Sequence, residues 1–244
     1  MSRLGDLIAG HLYLMGGLTN VREIFVFLSP QILFLALAEV IAGSRTYTEL
    51  LMVTSLLESF SLVITYILLG IVVPGRLIRL SYSMRDAGMM EIFLNQGVGL
   101  DQVLLSLWIG SSLKYSLYVI AGSLIALLSL YLAGWMTVVE FLTALGVIAV
   151  MVTLFSAICI TLSLILPPSE AQYWSQLVFF LIFGYLYLGF LNPRNYNDIV
   201  RLFLGGYLNP MSLGGGAIAT FLVIVLLIGL SEERGDIIEI DEVK

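Results

Sequence analysis

Long apolar runs alternate with short polar segments along this chain of 244 residues. A bilayer core of about 30 Å needs around 20 apolar residues in a helix. Six stretches qualify as spans, and they are 24–43, 50–74, 103–133, 138–166, 174–191 and 213–230. The pattern therefore predicts an all-α, polytopic membrane protein with six transmembrane helices. Pro30 is expected to kink the first span, and Pro74 is expected to end the second.

The composition agrees with lipid as the main solvent of this chain. Hydrophobic residues make up 59% and charged residues only 11%, whereas a soluble domain usually carries about a quarter charged residues. Most of the net charge of −6 comes from residues 231–244, which hold six acids and two bases. The rest of the chain is near neutral, so nothing indicates a nucleic-acid-binding surface.

The distribution of Lys and Arg predicts the orientation. The side that holds both termini carries more of them than the other side, which is typical of the cytoplasmic face. The first set is Arg3, Arg22, Arg76, Arg79, Arg85, Arg234 and Lys244, and the second is Arg45, Arg194 and Arg201. We therefore expect a plasma-membrane protein with both termini and residues 75–102 in the cytoplasm. Lys114 is expected to snorkel at the inner boundary, and the alternative is a buried ion pair.

Two segments outside the spans have their own predicted structure. Residues 2–20 place five apolar side chains on one helical face, namely Leu4, Leu7, Ile8, Leu12 and Met15. Region 1–22 is therefore predicted to be an amphipathic helix lying in the inner interface. Residues 192–212 are predicted to form a short re-entrant hairpin in the outer leaflet before the last span. The six-span domain then covers 23–231, and 232–244 forms an acidic cytoplasmic tail.

Candidate chemistry is sparse in this sequence. Cys159 is the single cysteine and His11 the single histidine, which leaves little material for a metalloprotease or a serine–histidine pair. The segment at 110–116, "GSSLKYS", lacks the second glycine that an ATP-binding P-loop places before its lysine. We therefore expect no catalytic residue, no metal site and no cofactor site in this chain, and we expect it not to be an enzyme.

The segment "RDAGMMEIFLNQG", residues 85–97, lies between the second and third predicted spans. Ser83 and Asp86 have the spacing of a helix N-cap, and Gly97 suits the left-handed position that ends a helix. Apolar side chains between them share one stripe, and they are Met90, Phe93 and Leu94. The segment is therefore predicted to be a separate cytoplasmic helix that is half apolar and half charged.

The order of these elements resembles the permease subunit of ABC-2 type transporters. Arg85, Asp86, Gly88 and Glu91, followed by an apolar run, are similar to the Arg-Glu-x-Gly-x-x-Glu signature of that family. "LNPMS", residues 208–212, is similar to the Asn-Pro element that often precedes the last span. One departure is that Gly97 and Gly99 stand where the family often has a proline after the apolar run.

This resemblance implies that 85–97 is a coupling helix seated in a cleft of a separate ATPase subunit. The implied coupling residues are Arg85, Asp86, Gly88, Met90, Glu91, Phe93 and Leu94. ATP and Mg would be bound by that ATPase partner. A second copy of the permease, or a homologous permease, would complete the membrane part of an exporter.

Two further groups are candidates for a substrate path. Glu39 and Glu58 lie inside the first two predicted spans, where a carboxylate is costly and suggests a functional role. Phe179, Phe183 and Tyr187 lie on the aromatic-rich fifth span and would suit an apolar or amphipathic cargo. The alternatives are hydrogen-bonded or protonated glutamates and aromatic rings that only pack or face lipid. Two other functions stay open, which are an ion-coupled carrier that uses Glu39 and Glu58, and a membrane scaffold that transports nothing.

Overall fold

The computed structural model of the chain describes residues 3–18, 20–42, 47–86, 88, 92–93, 95–134, 136–188 and 210–242. Every regular element within these residues is an α-helix, which confirms the predicted all-α class. The helices are α1 (Arg3–Leu14), α2 (Val21–Ala42), α3 (Tyr47–Asp86), α4 (Leu100–Leu132), α5 (Val138–Ile165), α6 (Pro168–Leu188) and α7 (Pro210–Glu242).

Five helical segments in the described part of the chain are long and apolar enough to cross a membrane. They are Val21–Ile41, Phe60–Arg85, Leu100–Leu132, Val138–Ile165 and Gly214–Ser231. These helices indicate a membrane protein. The predicted fifth span, 174–191, overlaps α6, whose side chains beyond residue 181 lie outside the description. The predicted outer hairpin at 192–212 also falls outside it, except for the first turn of α7.

The predicted end of the second span at Pro74 is wrong, because α3 runs through this proline for 40 residues. Pro74 has no N–H to donate to the carbonyl of Gly70, and such a proline costs a helix about 3 kcal/mol. Burial on both sides offsets this cost, since Leu69, Val73 and Leu77 form one buried stripe of the main core across the proline. Tertiary packing thus overrides the local preference for a helix end.

Helix α2 also continues through its proline, Pro30. The carbonyl of Val26 is the acceptor that Pro30 cannot serve, and the Ser29 hydroxyl donates to it at 3.0 Å. A local side chain therefore replaces the missing backbone hydrogen bond.

Helices α2 and α4 pack side by side and run in the same direction. Gly122 brings α4 against the α2 backbone, because a Cβ at this position would lie 2.6 Å from the carbonyl oxygen of Phe27. One turn along, the buried Gln31 accepts a hydrogen bond from the N–H of Ala126 at 3.0 Å. One turn back, the rings of Phe27 and Tyr118 lie 6.4 Å apart. This close contact fixes the position of α2 relative to the rest of the bundle.

Local capping explains why the start of α5 was predictable. Thr137 and Glu140 form a capping box, in which the Thr137 N–H donates to the Glu140 carboxylate at 2.7 Å. The N–H of Glu140 donates in return to the Thr137 hydroxyl at 3.3 Å. The helix therefore begins at Val138, where the apolar pattern also starts.

Replacing the glycines in and after α1 with alanine should change the stability of the protein in opposite directions. Gly10 is helical, and a Cβ there would meet nothing within 4 Å, so Gly10→Ala should stabilise the protein by up to about 1 kcal/mol. Gly16 follows the helix with φ +85, and Gly16→Ala should destabilise it by about 1–2 kcal/mol. Thermal unfolding of both variants in detergent tests this pair, and shifts of the same sign would contradict it.

Candidate functional site

The segment at 85–97 begins as the end of α3, not as a separate helix. Ser83 lies inside α3 and donates its hydroxyl to the carbonyl of Leu80 at 2.9 Å, and Asp86 is the last residue of the helix. The predicted N-cap formed by Ser83 and Asp86 is therefore wrong. Burial explains the difference, because Met84 is in contact with the core and holds this last turn in the helix.

Gly88 ends α3. It has φ 66, in the left-handed region that glycine adopts without strain, and its N–H donates to the carbonyl of Arg85 at 3.0 Å. The Arg85 side chain is exposed, and its guanidinium lies 4.4 Å from the centre of the Tyr82 ring. The glycine of the signature-like segment thus marks the point at which the long helix stops.

A short helical turn follows Gly88. The N–H of Ile92 donates to the carbonyl of Gly88 at 3.1 Å, and the N–H of Gln96 donates to the carbonyl of Ile92 at 3.2 Å. Gly97 has φ 71, and the N–H of Val98 returns to the carbonyl of Phe93 at 3.0 Å. This hydrogen bond is the Schellman pattern, so the predicted role of Gly97 as the end of the turn is confirmed.

The two sides of this turn have different surroundings. Phe93 packs against a buried cluster formed by Met84 of α3, Val98 just before α4, and Val103 of α4. Leu7 of α1 also contacts this cluster. The neighbouring Ile92 is 54% exposed. The turn is therefore anchored to three helices through one side chain and presents an apolar side chain outwards.

Part of the predicted coupling set lies outside the described residues. Met90, Glu91 and Leu94 are not described, and neither is the side chain of Asp86. Of the described members, Arg85 lies in the last turn of α3, Gly88 follows the end of that helix, and Phe93 lies in the capped turn. The coupling role of the whole set stays a prediction.

The prediction that Lys114 snorkels is wrong, and the alternative of a buried ion pair is confirmed. The Lys114 side chain is 0% exposed, and its Nζ lies 2.7 Å from Oε2 of Glu23, which is 8% exposed. Oε1 of the same carboxylate lies 3.5 Å from Nε of Arg76, whose side chain is 63% exposed. Helices α2, α3 and α4 therefore meet at one carboxylate with two cations.

The Lys114 ammonium has two further kinds of contact. It donates a hydrogen bond to the carbonyl of Met15, just after α1, and it lies 5.7 and 5.5 Å from the ring centres of Tyr115 and Tyr118. Sequence reasoning did not identify Glu23 as its partner. The available signal was an acid at the predicted inner end of one span and a lysine at the same level of another.

The two candidate glutamates lie on neighbouring helices. Glu39 is exposed on α2, which packs against α3. Glu58 belongs to α3, and its side chain lies outside the description. A shared proton or cation site between them stays a prediction.

Phe179 lies inside the helix bundle. Its ring centre is 4.5 Å from that of Phe155, and its ring covers Gly70, where a Cβ would clash with it. Phe180, the next residue, makes an edge contact at 5.5 Å. The side chains of Phe183 and Tyr187 on the same helix are not described. The described contacts of Phe179 are packing contacts, and a substrate path along α6 stays a prediction.

Neither a scan against protein-family models nor a search of curated proteins finds a match for this chain. Within the described residues, no group of three or more His, Cys, Asp or Glu side chains could hold a metal ion.

Proposed function

We propose that this chain is the membrane-spanning permease subunit of an ATP-driven ABC-2 type transporter that exports an apolar or amphipathic substrate. The observation that carries the proposal is the capped turn at the end of α3. It packs Phe93 against a buried cluster and leaves Ile92 exposed at the edge of a segment that resembles the coupling signature. An exposed apolar side chain on an anchored turn suits a groove on a partner protein.

The length of α3 supports a mechanical role for this segment. Forty residues at 1.5 Å each make about 60 Å, which is roughly twice the thickness of a bilayer core. A stiff helix of this length would carry a displacement of the turn at 92–97 into the membrane as rigid-body motion. Phe93 and Val98 would pass the same displacement to α1 and α4, since their cluster includes Leu7 and Val103.

The proposal requires partners for this chain. A separate ATPase subunit would bind ATP and Mg. A second copy of this chain, or a homologous permease, would form the other six-span half around the substrate path. Both termini would be cytoplasmic and the complex would lie in the plasma membrane. Arg85 is exposed beside the turn, where it would fix the register of docking through a charge pair.

Gentle purification of the protein from its own membranes tests this function. We expect a polypeptide with a P-loop to remain bound, and the complex to hydrolyse Mg-ATP and to transport in an ATP-dependent manner. Flux that needs no ATP, runs on a proton or sodium gradient and stops in Glu39→Gln or Glu58→Gln would instead establish the ion-coupled carrier. If no ATPase is bound and no flux is measured, the result would support the third function, a membrane scaffold that transports nothing.

Ile92→Glu should weaken the binding of the ATPase subunit. Burying an isoleucine side chain contributes about 1.5–3 kcal/mol, so its replacement by a charge should lower the affinity roughly 10- to 100-fold. Titration of the purified ATPase against the permease in nanodiscs measures the change. Val139→Glu is the matched control, because Val139 is also exposed but lies in the first turn of α5, at the opposite end of the bundle. Equal ATPase affinity of the two variants would contradict the docking role.

A further inference from the structure

A cavity of about 240 Å³ lies where the end of α1 meets α2, α3 and α4, beside the buried pair of Glu23 and Lys114. Its α3 wall carries Arg76, Arg79 and Ser83. These three residues share one face of the helix, because they are three and four positions apart. The cavity is therefore basic along one wall, and its volume is several times that of a water molecule.

Both arginines can donate to a ligand in this cavity. Arg79 is exposed, and it has no ion pair and no hydrogen bond within the described part of the chain. The Arg76 side chain is 63% exposed and approaches Glu23 through Nε, while a guanidinium has four further N–H donors on its terminal nitrogens. A ligand reaches both side chains from solvent, which it cannot do for the fully buried Lys114.

The carboxylate of Glu23 does not cancel the charge of these arginines. Lys114 already balances it, since its Nζ lies 2.7 Å from Oε2 of Glu23. Three cations thus surround one carboxylate, and two positive charges remain on the side of the cavity that is open to a ligand. The planar guanidinium binds phosphate oxygens through paired N–H groups, so two such groups on one helix face suit a phosphate.

The cavity lies at the level where the helices enter the membrane. Glu23 belongs to the first turn of α2, and the apolar span Val21–Ile41 begins in the same turn. The phosphate groups of lipids lie at this depth, just outside the hydrocarbon core. Leu14, which is 42% exposed, and the half-buried Leu80 add apolar surface to the lining. Lys and Arg predict this side to be cytoplasmic, where membranes carry anionic lipids.

We propose that this cavity binds the phosphate group of an anionic phospholipid. Arg76 and Arg79 donate N–H groups to the phosphate oxygens, and the first carbons of an acyl chain lie along Leu14 and Leu80. The bound lipid then contacts the ends of α1 and α3 beside the ion pair that joins α2 to α4. The site does not depend on the transporter proposal, because lipid binding involves neither ATP nor a partner protein.

Titration of the full chain in detergent with two dioleoyl lipids, followed by native mass spectrometry, tests the site. We expect phosphatidylglycerol to bind saturably, with one lipid per chain and an affinity at least tenfold higher than that of phosphatidylcholine. Both lipids carry a phosphate, but the choline cation of the second opposes the arginines. Equal affinity for the two lipids, or no saturable binding of phosphatidylglycerol, would overturn the proposal.

Substitution of the arginines locates the binding in this cavity. Arg79→Gln should lower the affinity for phosphatidylglycerol about tenfold, and its Tm without lipid should be unchanged because Arg79 has no partner in the described part of the chain. Arg22→Gln is the matched control. Arg22 is exposed in the first turn of α2, at the same membrane level, but it does not line the cavity, so this variant should bind as the unmodified chain does.

A double variant extends this comparison. Arg76→Gln/Arg79→Gln should lose the preference for phosphatidylglycerol over phosphatidylcholine, while Lys114 keeps Glu23 paired and the fold intact. Undiminished binding in Arg79→Gln would overturn the assignment of the site. An equal loss in Arg22→Gln would show that the lipid responds only to the overall charge of this end of the protein, and it would also overturn the assignment.

Competition with inorganic phosphate distinguishes a lipid from a soluble phosphate. A large excess of inorganic phosphate should not displace phosphatidylglycerol, because it lacks the acyl chain that lies on Leu14 and Leu80. Displacement would overturn the lipid assignment and identify a site for soluble phosphate compounds. Because no ATPase is present, failure of lipid binding leaves the transport proposal intact, and failure of ATPase docking leaves the lipid site intact.

Discussion

Replacing Glu23 with Gln should destabilise the protein by about 3–5 kcal/mol, because it leaves a buried ammonium without its counter-ion. Lys114 is 0% exposed, and Glu23 supplies the carboxylate 2.7 Å from its Nζ. The groups that remain are the neutral amide oxygen that the substitution leaves, the carbonyl of Met15 and the faces of Tyr115 and Tyr118. The dipoles of these polar groups and the quadrupoles of the rings do not balance the full positive charge of the Lys114 ammonium. Arg76 is mostly exposed and would turn to solvent.

Thermal unfolding in detergent measures this loss, and Tm should fall by on the order of 10 °C. Lys114→Met should cost less, since Glu23 keeps Arg76 at 3.5 Å. The double variant Glu23→Gln/Lys114→Met should recover most of the loss, because it removes the buried ammonium that Glu23→Gln leaves without a counter-ion. A double variant no more stable than Glu23→Gln alone would show that the pair does not act as a unit.

The sequence predicted those parts of the fold that depend on local patterns. Apolar length alone predicted a span at 138–166, and α5 covers Val138–Ile165 because Thr137 and Glu140 cap it locally. The first span was placed at 24–43, and α2 covers Val21–Ala42. Gly97 was predicted to end a helical turn for a similar reason, since left-handed backbone favours glycine.

The wrong predictions came from local preferences that packing overrides. Pro74 favours a helix end, but Leu77 beyond it is as deeply buried as Leu69 before it. Ser83 and Asp86 have the spacing of an N-cap, but Met84 between them is buried and keeps the turn inside α3. The hydrophobic pattern along the chain shows the proline that disfavours the helix, but it does not show the core packing that offsets this cost.

The charged site was out of reach of the sequence for a different reason. The environment of Lys114 depends on Glu23 and Arg76 from two other helices, and hydropathy alone is compatible with either a snorkelling or a paired lysine. Contacts between side chains of different helices can be predicted only when the packing of those helices is already known.

The crossing of α2 and α4 is the contact most sensitive to added volume. Gly122→Leu should destabilise the protein by about 2–6 kcal/mol. A Cβ there lies 2.6 Å from the Phe27 carbonyl oxygen and 3.1 Å from its carbon, and backbone atoms cannot rotate away. Overpacking costs about 1–3 kcal/mol. The forced shift of α2 also breaks the hydrogen bond from Ala126 to the buried Gln31, which adds about 1–3 kcal/mol.

Gly229→Leu on α7 is the matched control, since Gly229 is exposed and a Cβ there meets nothing within 4 Å. Because Gly229 is helical, this control should leave the stability unchanged or raise it by up to about 1 kcal/mol. Combining Gly122→Leu with Glu23→Gln should cost less than the sum of the two, because a displaced α2 already separates Glu23 from Lys114. If Gly122→Leu unfolds at the same temperature as Gly229→Leu, α2 does not pack on Gly122, and the buried ion pair loses the contact that positions it.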